Sequence, residues 1–442
     1  MIKNKNVGVI SLGCDKNRVD TEKMIALIKQ NHNIVSDIEN AQIVVINTCA
    51  FLKPARQEAI GEILSVSSLK ANKKLEKIIV TGCLPQKYSK DIFNELIEVD
   101  AFLGVADYSN INEVINRIYK GDRVNCVNYS VDNLINENLF ERVLSTSGYA
   151  YLKIADGCYN RCTFCAIPSI RGNYRSIPQD KLIKEAKSLG KVKELILVAQ
   201  DTTRYGSDLT PKSSLANLVK ELSALDNIDS IRLLYCYPEA VTEELICEIK
   251  NNSKVIKYID IPLQHGDDKI LKLMGRRGNS KFYLSLIKRL KKEIKGIAIR
   301  STFMVGFPFE DEKAFNNLIK FIVKAKLFHA GFFKYSREEG TPAYKLKNQV
   351  LAKDKNKRLK GVYKAQKKVA QNNLKKLVGK TFSVLAEGFD QDRLVYYGRA
   401  YFSAPDIDGK IYFFSQDEIT YGERYKVKIT ELIDYDFIGE KI

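Results

Sequence analysis

The feature that most constrains this chain is a rhythm: short apolar runs alternate with helical stretches. In the first third the runs are 7–12, 43–46 and 78–80, with helical periodicity over 18–29 and 55–69. Brief Val- and Ile-rich runs separated by helices imply parallel strands joined by helical crossovers. From 149 to 343 the rhythm quickens, with candidate strands at 149–154, 194–198, 230–234, 257–261, 297–305 and 330–333. About six strand–helix units predict a partial (β/α) barrel rather than an open sheet. A basic helix is expected near 353–378. From Gly379 short alternating runs and Gly and Asp turns predict a small closed all-β module. The expected architecture is α/β, in three parts: a parallel-sheet domain over 1–135, a partial barrel with its basic helix over 145–375, and a β-barrel over 378–442. The stretch 125–146, poor in periodicity, is the expected linker.

A chain of 442 residues is too long for one ordinary core. No apolar run reaches the ~18 residues that a membrane helix needs. The run at 7–12 is too short for a secretory signal, and Gly13, Cys14, Asp15 and Lys16 follow at once. The chain is therefore expected in the cytoplasm, with no membrane partner. Nine cysteines in a reducing compartment point to metal ligands or buried thiols rather than disulfides. The net charge of +18 fits an anionic partner such as RNA, and equally a composition rich in Lys throughout.

Cys158, Cys162 and Cys165 form C-x3-C-x2-C directly after the predicted strand 149–154. Three thiolates on one loop can hold three irons of a cubane and leave the fourth open to a small molecule. The alternatives are a zinc site or buried thiols, but zinc favours C-x2-C with a distant second pair, which this sequence lacks. The segment 156–165, DGCYNRCTFC, resembles the signature of the radical S-adenosylmethionine superfamily. The resemblance implies a 4Fe–4S cluster on these cysteines whose open iron binds S-adenosylmethionine, and a barrel mouth that shields the radical formed from it.

Cys14, Cys49 and Cys83 each follow one of the three N-terminal strands, in LGC, NTC and TGC contexts. Parallel neighbouring strands bring such ends to one sheet edge. Glycines beside Cys14 and Cys83 let backbone pass close to a bulky group. Three buried core thiols are the plainer reading. Cys126, Cys236 and Cys247 lack partners at metal spacing and read as structural. The whole arrangement is similar to the methylthiotransferases, which carry an N-terminal three-Cys domain, a radical domain and a C-terminal TRAM module. The resemblance implies a second 4Fe–4S cluster on Cys14, Cys49 and Cys83 that holds the sulfur to be inserted. It implies two S-adenosylmethionine molecules, one giving a methyl group and one the radical. It also implies an electron-donor protein.

Two branches of that family compete. SLGCDKNRVD at 11–20, VAQDTT at 198–203, YGRAY at 397–401 and APDIDG at 404–409 resemble the branch that modifies the β-carbon of an aspartate in a small-subunit ribosomal protein. The alternative branch modifies tRNA adenosine, and a non-catalytic iron–sulfur RNA-binding protein is the remaining alternative. Charge points the same way: residues 379–442 hold 8 Lys and Arg against 12 Asp and Glu, net −4, leaving +22 for the rest. A module that grips phosphate should be basic; an acidic one suits a basic protein. The basic helix is either a solvated face or an approach to ribosomal RNA.

Around the barrel, Gln200, Asp201, Gln264, Arg300 and Gly306 are the expected S-adenosylmethionine contacts, the last two by resemblance. His265 is either a wall of the site or a hydrogen-bonded core residue. The family usually has Gly where this chain has Phe309, and Arg where it has Ile177, so Arg175 receives no role.

Overall fold

A computed structural model describes residues 2–72, 74–129 and 141–442. Among these residues the N-terminal sheet has six parallel strands: β1 (Asn6–Ser11), β2 (Asn33–Val35), β3 (Ile43–Thr48), β4 (Lys77–Gly82), β5 (Ala101–Leu103) and β6 (Val124–Cys126), in the order β2-β1-β3-β4-β5-β6. Every residue of β3 is buried, as expected of a strand covered by helices on both faces. The three expected strands are the sheet's centre. The three additional strands are only three residues each, too short for a periodic signal.

The second sheet holds β7 (Tyr149–Lys153), β10 (Glu194–Val198), β11 (Ile231–Leu233), β12 (Val255–Asp260), β13 (Ala298–Val305) and β14 (His329–Lys334), all parallel and in that order from edge to edge. A two-residue pair, β8 (Ala155–Asp156) and β9 (Arg175–Ser176), brackets the cysteine loop. The edges β7 and β14 do not pair with each other, so the barrel is partial. The long basic helix runs Ala352–Leu374 and lies against β14 and a preceding helix. The last part is a closed barrel of β15 (Thr381–Asp390), β16 (Val395–Arg399), β17 (Ile411–Phe414), β18 (Arg424–Ile433) and β19 (Asp436–Lys441).

Alternation along the central strands separates two cores. Ala150, Leu152, Leu195, Leu197 and Ile259 face the helices. Tyr149, Tyr151, Ile196, Val198 and Tyr258 face the other way and share a core with Val384, Phe402 and Phe413 of the small barrel. That concave face also buries charge. Glu194 lies 2.7 Å from Arg232, 2.6 Å from Arg399 and 3.4 Å from Arg424. Burial alone would raise its carboxyl, but Arg232, Arg399 and Arg424 hold it at about 2.

The expected linker is corrected at both ends, while 130–140 lie outside the described residues. Its first residues, Asn125 and Cys126, belong to β6. Near its end the fully buried Arg142 side chain pairs with Glu185 at 3.1 Å and donates to the Tyr151 carbonyl at 2.7 Å, while Ser145 donates to Glu22. The chain here is clamped between helix α1 (Asp15–Lys29) and the central sheet.

Candidate active site

All the chemistry-bearing segments follow strand C-termini. The loop after β7 carries Cys158, Cys162 and Cys165. Cys158 N–H donates to the Gly172 carbonyl at 3.2 Å, and Cys165 N–H to the Cys162 carbonyl at 3.0 Å. Asn160 donates to Asp201 at 2.7 Å, and Thr163 donates to the Leu273 carbonyl at 2.8 Å. Phe164 packs with Met274, Met304 and Phe307, pinning the loop to the barrel rim. Gly157, at φ +75°, passes so close to Asn173 that a Cβ would stand 2.0 Å from its carbonyl oxygen.

Cys14 is the N-cap of α1, Cys49 follows β3 and Cys83 opens the helix Cys83–Glu95. Two of the three thus sit at helix N-termini, where partial positive charge favours a thiolate. They converge: a Cβ on Gly13 would lie 2.7 Å from the Cys49 Cβ and 3.3 Å from its sulfur. One side chain fastens all three strand ends. Asn17 donates to the Leu12 and Thr48 carbonyls at 3.2 and 2.9 Å, and its own oxygen lies 3.8 Å from the Cys83 sulfur. Burial pushes the Cys83 thiol up to about 12, although Arg171 draws it down; burial likewise takes Cys165 to about 12 and Cys158 to about 11. Such thiols release protons when a metal binds.

Among the described residues no three Cys, His, Asp or Glu side chains close on a point as ligands of one ion would. Cubane thiolates each bind a different iron and so stand farther apart. The mouth also holds buried polar atoms with no hydrogen-bond partner: Gln200 Oε1, Gln264 Oε1 and Thr202 Oγ1. Donor type and these spare polar atoms fit an iron–sulfur cluster with a polar organic ligand beside it.

Backbone strain gathers at the same edge. Arg161, Tyr235, Gln264 and Phe309 have positive φ of 48°, 59°, 72° and 66°. Left-handed backbone in bulky residues persists only where surroundings enforce it, characteristically at functional sites. Gln264 is held by its N–H on the Thr302 carbonyl and its carbonyl on the Met304 N–H, both 2.8 Å. The φ of Phe309 gives a physical reason for the glycine usual at that position.

The other expected contacts are placed differently. Asp201 is fully buried and accepts from Asn160 and Thr203, both at 2.7 Å. Arg300 donates to Asp260 at 2.9 Å and, across to the small barrel, to Asp408 at 3.3 Å. Gly306 turns at φ +74° beneath the long helix, where a Cβ would meet Lys355. His265 is a core residue: it is fully buried, 3.2 Å from Glu310, and accepts from the Asp267 N–H at 3.0 Å.

Three family models match the chain: the Uncharacterized protein family UPF0004 over 6–104, the Radical SAM superfamily over 152–322 and the TRAM domain over 378–442. Curated relatives described as "Ribosomal protein uS12 methylthiotransferase RimO" extend along the full length. The one from Acetivibrio thermocellus is 49% identical, covering 99% of this chain and 98% of its own. Those from Thermoanaerobacter sp. and Clostridium kluyveri are each 47% identical, covering 99% and 98% of this chain and 100% and 97% of their own. The chain belongs to the RimO family of radical SAM methylthiotransferases. Solved structures agree on the fold. The radical S-adenosylmethionine methyltransferase TsrM from Kitasatospora setae, with cobalamin and a [4Fe-4S] cluster bound, matches with TM-score 0.58 and 13% identity, over 77% of each chain. The cobalamin-dependent S-adenosylmethionine radical enzyme OxsB matches with TM-score 0.51 and 12% identity, over 82% of this chain and 56% of that one.

Within this RimO-family frame, sequence reasoning missed Asn17, Tyr235 and Arg171. Tyr235 donates to Asp15 at 2.8 Å and carries Lys16 over its ring at 3.3 Å, tying the end of β11 to the start of α1. Asn17 stands three residues after Cys14, inside a segment already singled out. Nothing local marks Arg171.

Proposed function

We propose that this chain replaces a hydrogen on the β-carbon of an aspartate in ribosomal protein uS12 with a methylthio group. The observation that carries the reading is identity of 43–49% to uS12 methylthiotransferases along essentially the whole chain. On this reading Cys158, Cys162 and Cys165 hold a radical-generating 4Fe–4S cluster, and Cys14, Cys49 and Cys83 hold a second one. When bound, the first cluster with S-adenosylmethionine supplies a hydrogen-abstracting radical; the second supplies the sulfur, methylated by another S-adenosylmethionine. The spare acceptors of Gln200 and Gln264 suit donors on the cofactor's methionine or ribose. Gly306 and Arg300 contribute by shaping the rim, and Asp201 holds the cysteine loop through Asn160. The protein's own work is positioning, since a radical is selective only when its target carbon is held close.

The acidic small barrel suits a basic ribosomal protein, and the helix Ala352–Leu374 can face nearby ribosomal RNA. An electron-donor protein completes the set of partners. A cytoplasmic location is part of the reading; among the described residues no helix is long and apolar enough to cross a membrane. Functional units at 1–135, 145–375 and 378–442 divide the labour. The test is anaerobic reaction of reconstituted enzyme with S-adenosylmethionine, sulfide, a reductant and either uS12 or tRNA. Methylthio substitution on an aspartate peptide of uS12 is expected. Modified adenosine in the tRNA digest with unmodified uS12 would overturn the reading in favour of the tRNA branch.

A further inference from the structure

Arg171 belongs to the radical domain, at the end of the short helix Ile167–Arg171, yet its guanidinium reaches the N-terminal domain. It is only 2% exposed. Nη2 donates to Asn17 Oδ1 at 2.7 Å and lies 3.8 Å from the Cys83 sulfur. Nη1 donates to Asp156 at 2.8 Å and to Asp20 at 3.3 Å. Asp156 in turn accepts from Gln200 at 2.9 Å and from the Gly157 N–H at 2.9 Å, one residue before Cys158. Lys153 completes the cluster through Asp20 and Asp156. The two aspartates balance Arg171 and Lys153, so the guanidinium's approach to Cys83 is compensated by fixed charge.

We propose that Arg171 is a positioning residue for the N-terminal cluster, holding Cys83 and Asn17 in place from the radical domain and linking them through Asp156 to Gln200 and the Cys158 loop. This rests on the reading that Cys14, Cys49 and Cys83 hold iron. Asn17 fastens the Cys14 and Cys49 loops, so a group that fixes its oxygen and also touches Cys83 governs all three ligands. Hydrogen bonds to cluster sulfur raise its reduction potential. Arg171 therefore also sets the potential of a cluster whose ligands come entirely from another domain.

The experiment uses the full chain carrying Cys158→Ala, Cys162→Ala and Cys165→Ala, so that only the N-terminal triad binds iron. In that background Arg171→Gln and Arg171→Lys are compared with Arg171 itself, by iron and sulfide content, apo-protein melting temperature and potentiometric titration followed by electron paramagnetic resonance. Arg171→Gln is expected to shift the midpoint to more negative potential, and Arg171→Lys, which keeps a cationic donor, to shift it less. Loss of iron in Arg171→Gln with recovery in Arg171→Lys supports the same conclusion. Full iron with an unchanged midpoint in Arg171→Gln overturns it, as does equal loss of iron and melting temperature in both variants. If Arg171→Gln does not fold, Arg171→Met takes its place in the same comparison, and full iron with an unchanged midpoint in that variant overturns the proposal. Absence of iron from the background itself would instead remove the underlying two-cluster reading.

Discussion

The two cysteine triads reach similar ends by opposite routes. Cys158, Cys162 and Cys165 lie close together on one loop, which is docked on the barrel rim through Gly172, Asp201 and Leu273. Cys14, Cys49 and Cys83 come from three strand ends and meet only when the sheet has formed in register. A loop site is encoded by spacing; an assembled site is encoded by the fold. The first should tolerate distant damage that the second cannot.

The sharpest separation comes from deleting one triad. Cys158→Ala, Cys162→Ala and Cys165→Ala together should abolish S-adenosylmethionine cleavage and lower iron from about eight to about four per chain. About four falling to none would erase the comparison, because the assembled site would then hold nothing.

Next in size is a change remote from both triads. Glu194→Gln leaves the buried Arg232 without its carboxylate and removes one of the two that Arg399 holds, Glu387 being the other. It should cost about 3–5 kcal/mol of stability, read from denaturant midpoints, with iron per folded chain unchanged. Equal iron loss from both triads would mean that the barrel floor, rather than the local ends, controls them.

Acid probes the same carboxylate in the unaltered chain. Its folded value of about 2 lies below the ordinary 4.5, so its stabilisation is full above about 4.5 and is lost as pH falls through 2. That contribution is about 3 kcal/mol. Glu194→Gln should flatten this part of the stability–pH curve, and a curve of unchanged slope would assign the acid sensitivity to other groups.

The smallest expected change in stability is the most selective for iron. Gly82 has φ +96°, and a Cβ there would lie 2.3 Å from Asn47 Oδ1 and 2.6 Å from the Thr48 carbonyl oxygen, directly before Cys49. Gly82→Ala should cost about 1–3 kcal/mol and reduce iron at the assembled triad while S-adenosylmethionine cleavage persists. Full iron in that variant would show that the assembled site is as forgiving as the loop.

The same contrast explains what could be read from the residues alone. Central strands such as β3 and β10 were legible because they are long, apolar and buried throughout. The loop triad was legible because its cysteines are closely spaced in the chain, and the assembled triad because each cysteine follows a recognisable strand. The short strands β2, β5 and β6 escaped because three residues carry no period. Arg142 escaped because its ordering comes wholly from Glu22, Glu185 and the Tyr151 carbonyl, each on another element. Arg300 was singled out by resemblance alone, and nothing in its local sequence signals that its guanidinium is engaged by Asp260 and by Asp408, the latter more than a hundred residues away. Polar side chains whose partners are remote in sequence give no local sign of where they point.

The shared core of the central sheet and the C-terminal barrel makes that barrel a stopper rather than an appendage. A chain cut after Leu377 would uncover Tyr149, Ile196 and Tyr258 to water and strip Glu194 of two of its guanidiniums. Truncation would therefore yield an aggregating remnant instead of a trimmed enzyme, and damaging substitutions across 378–442 would register first as lost soluble protein.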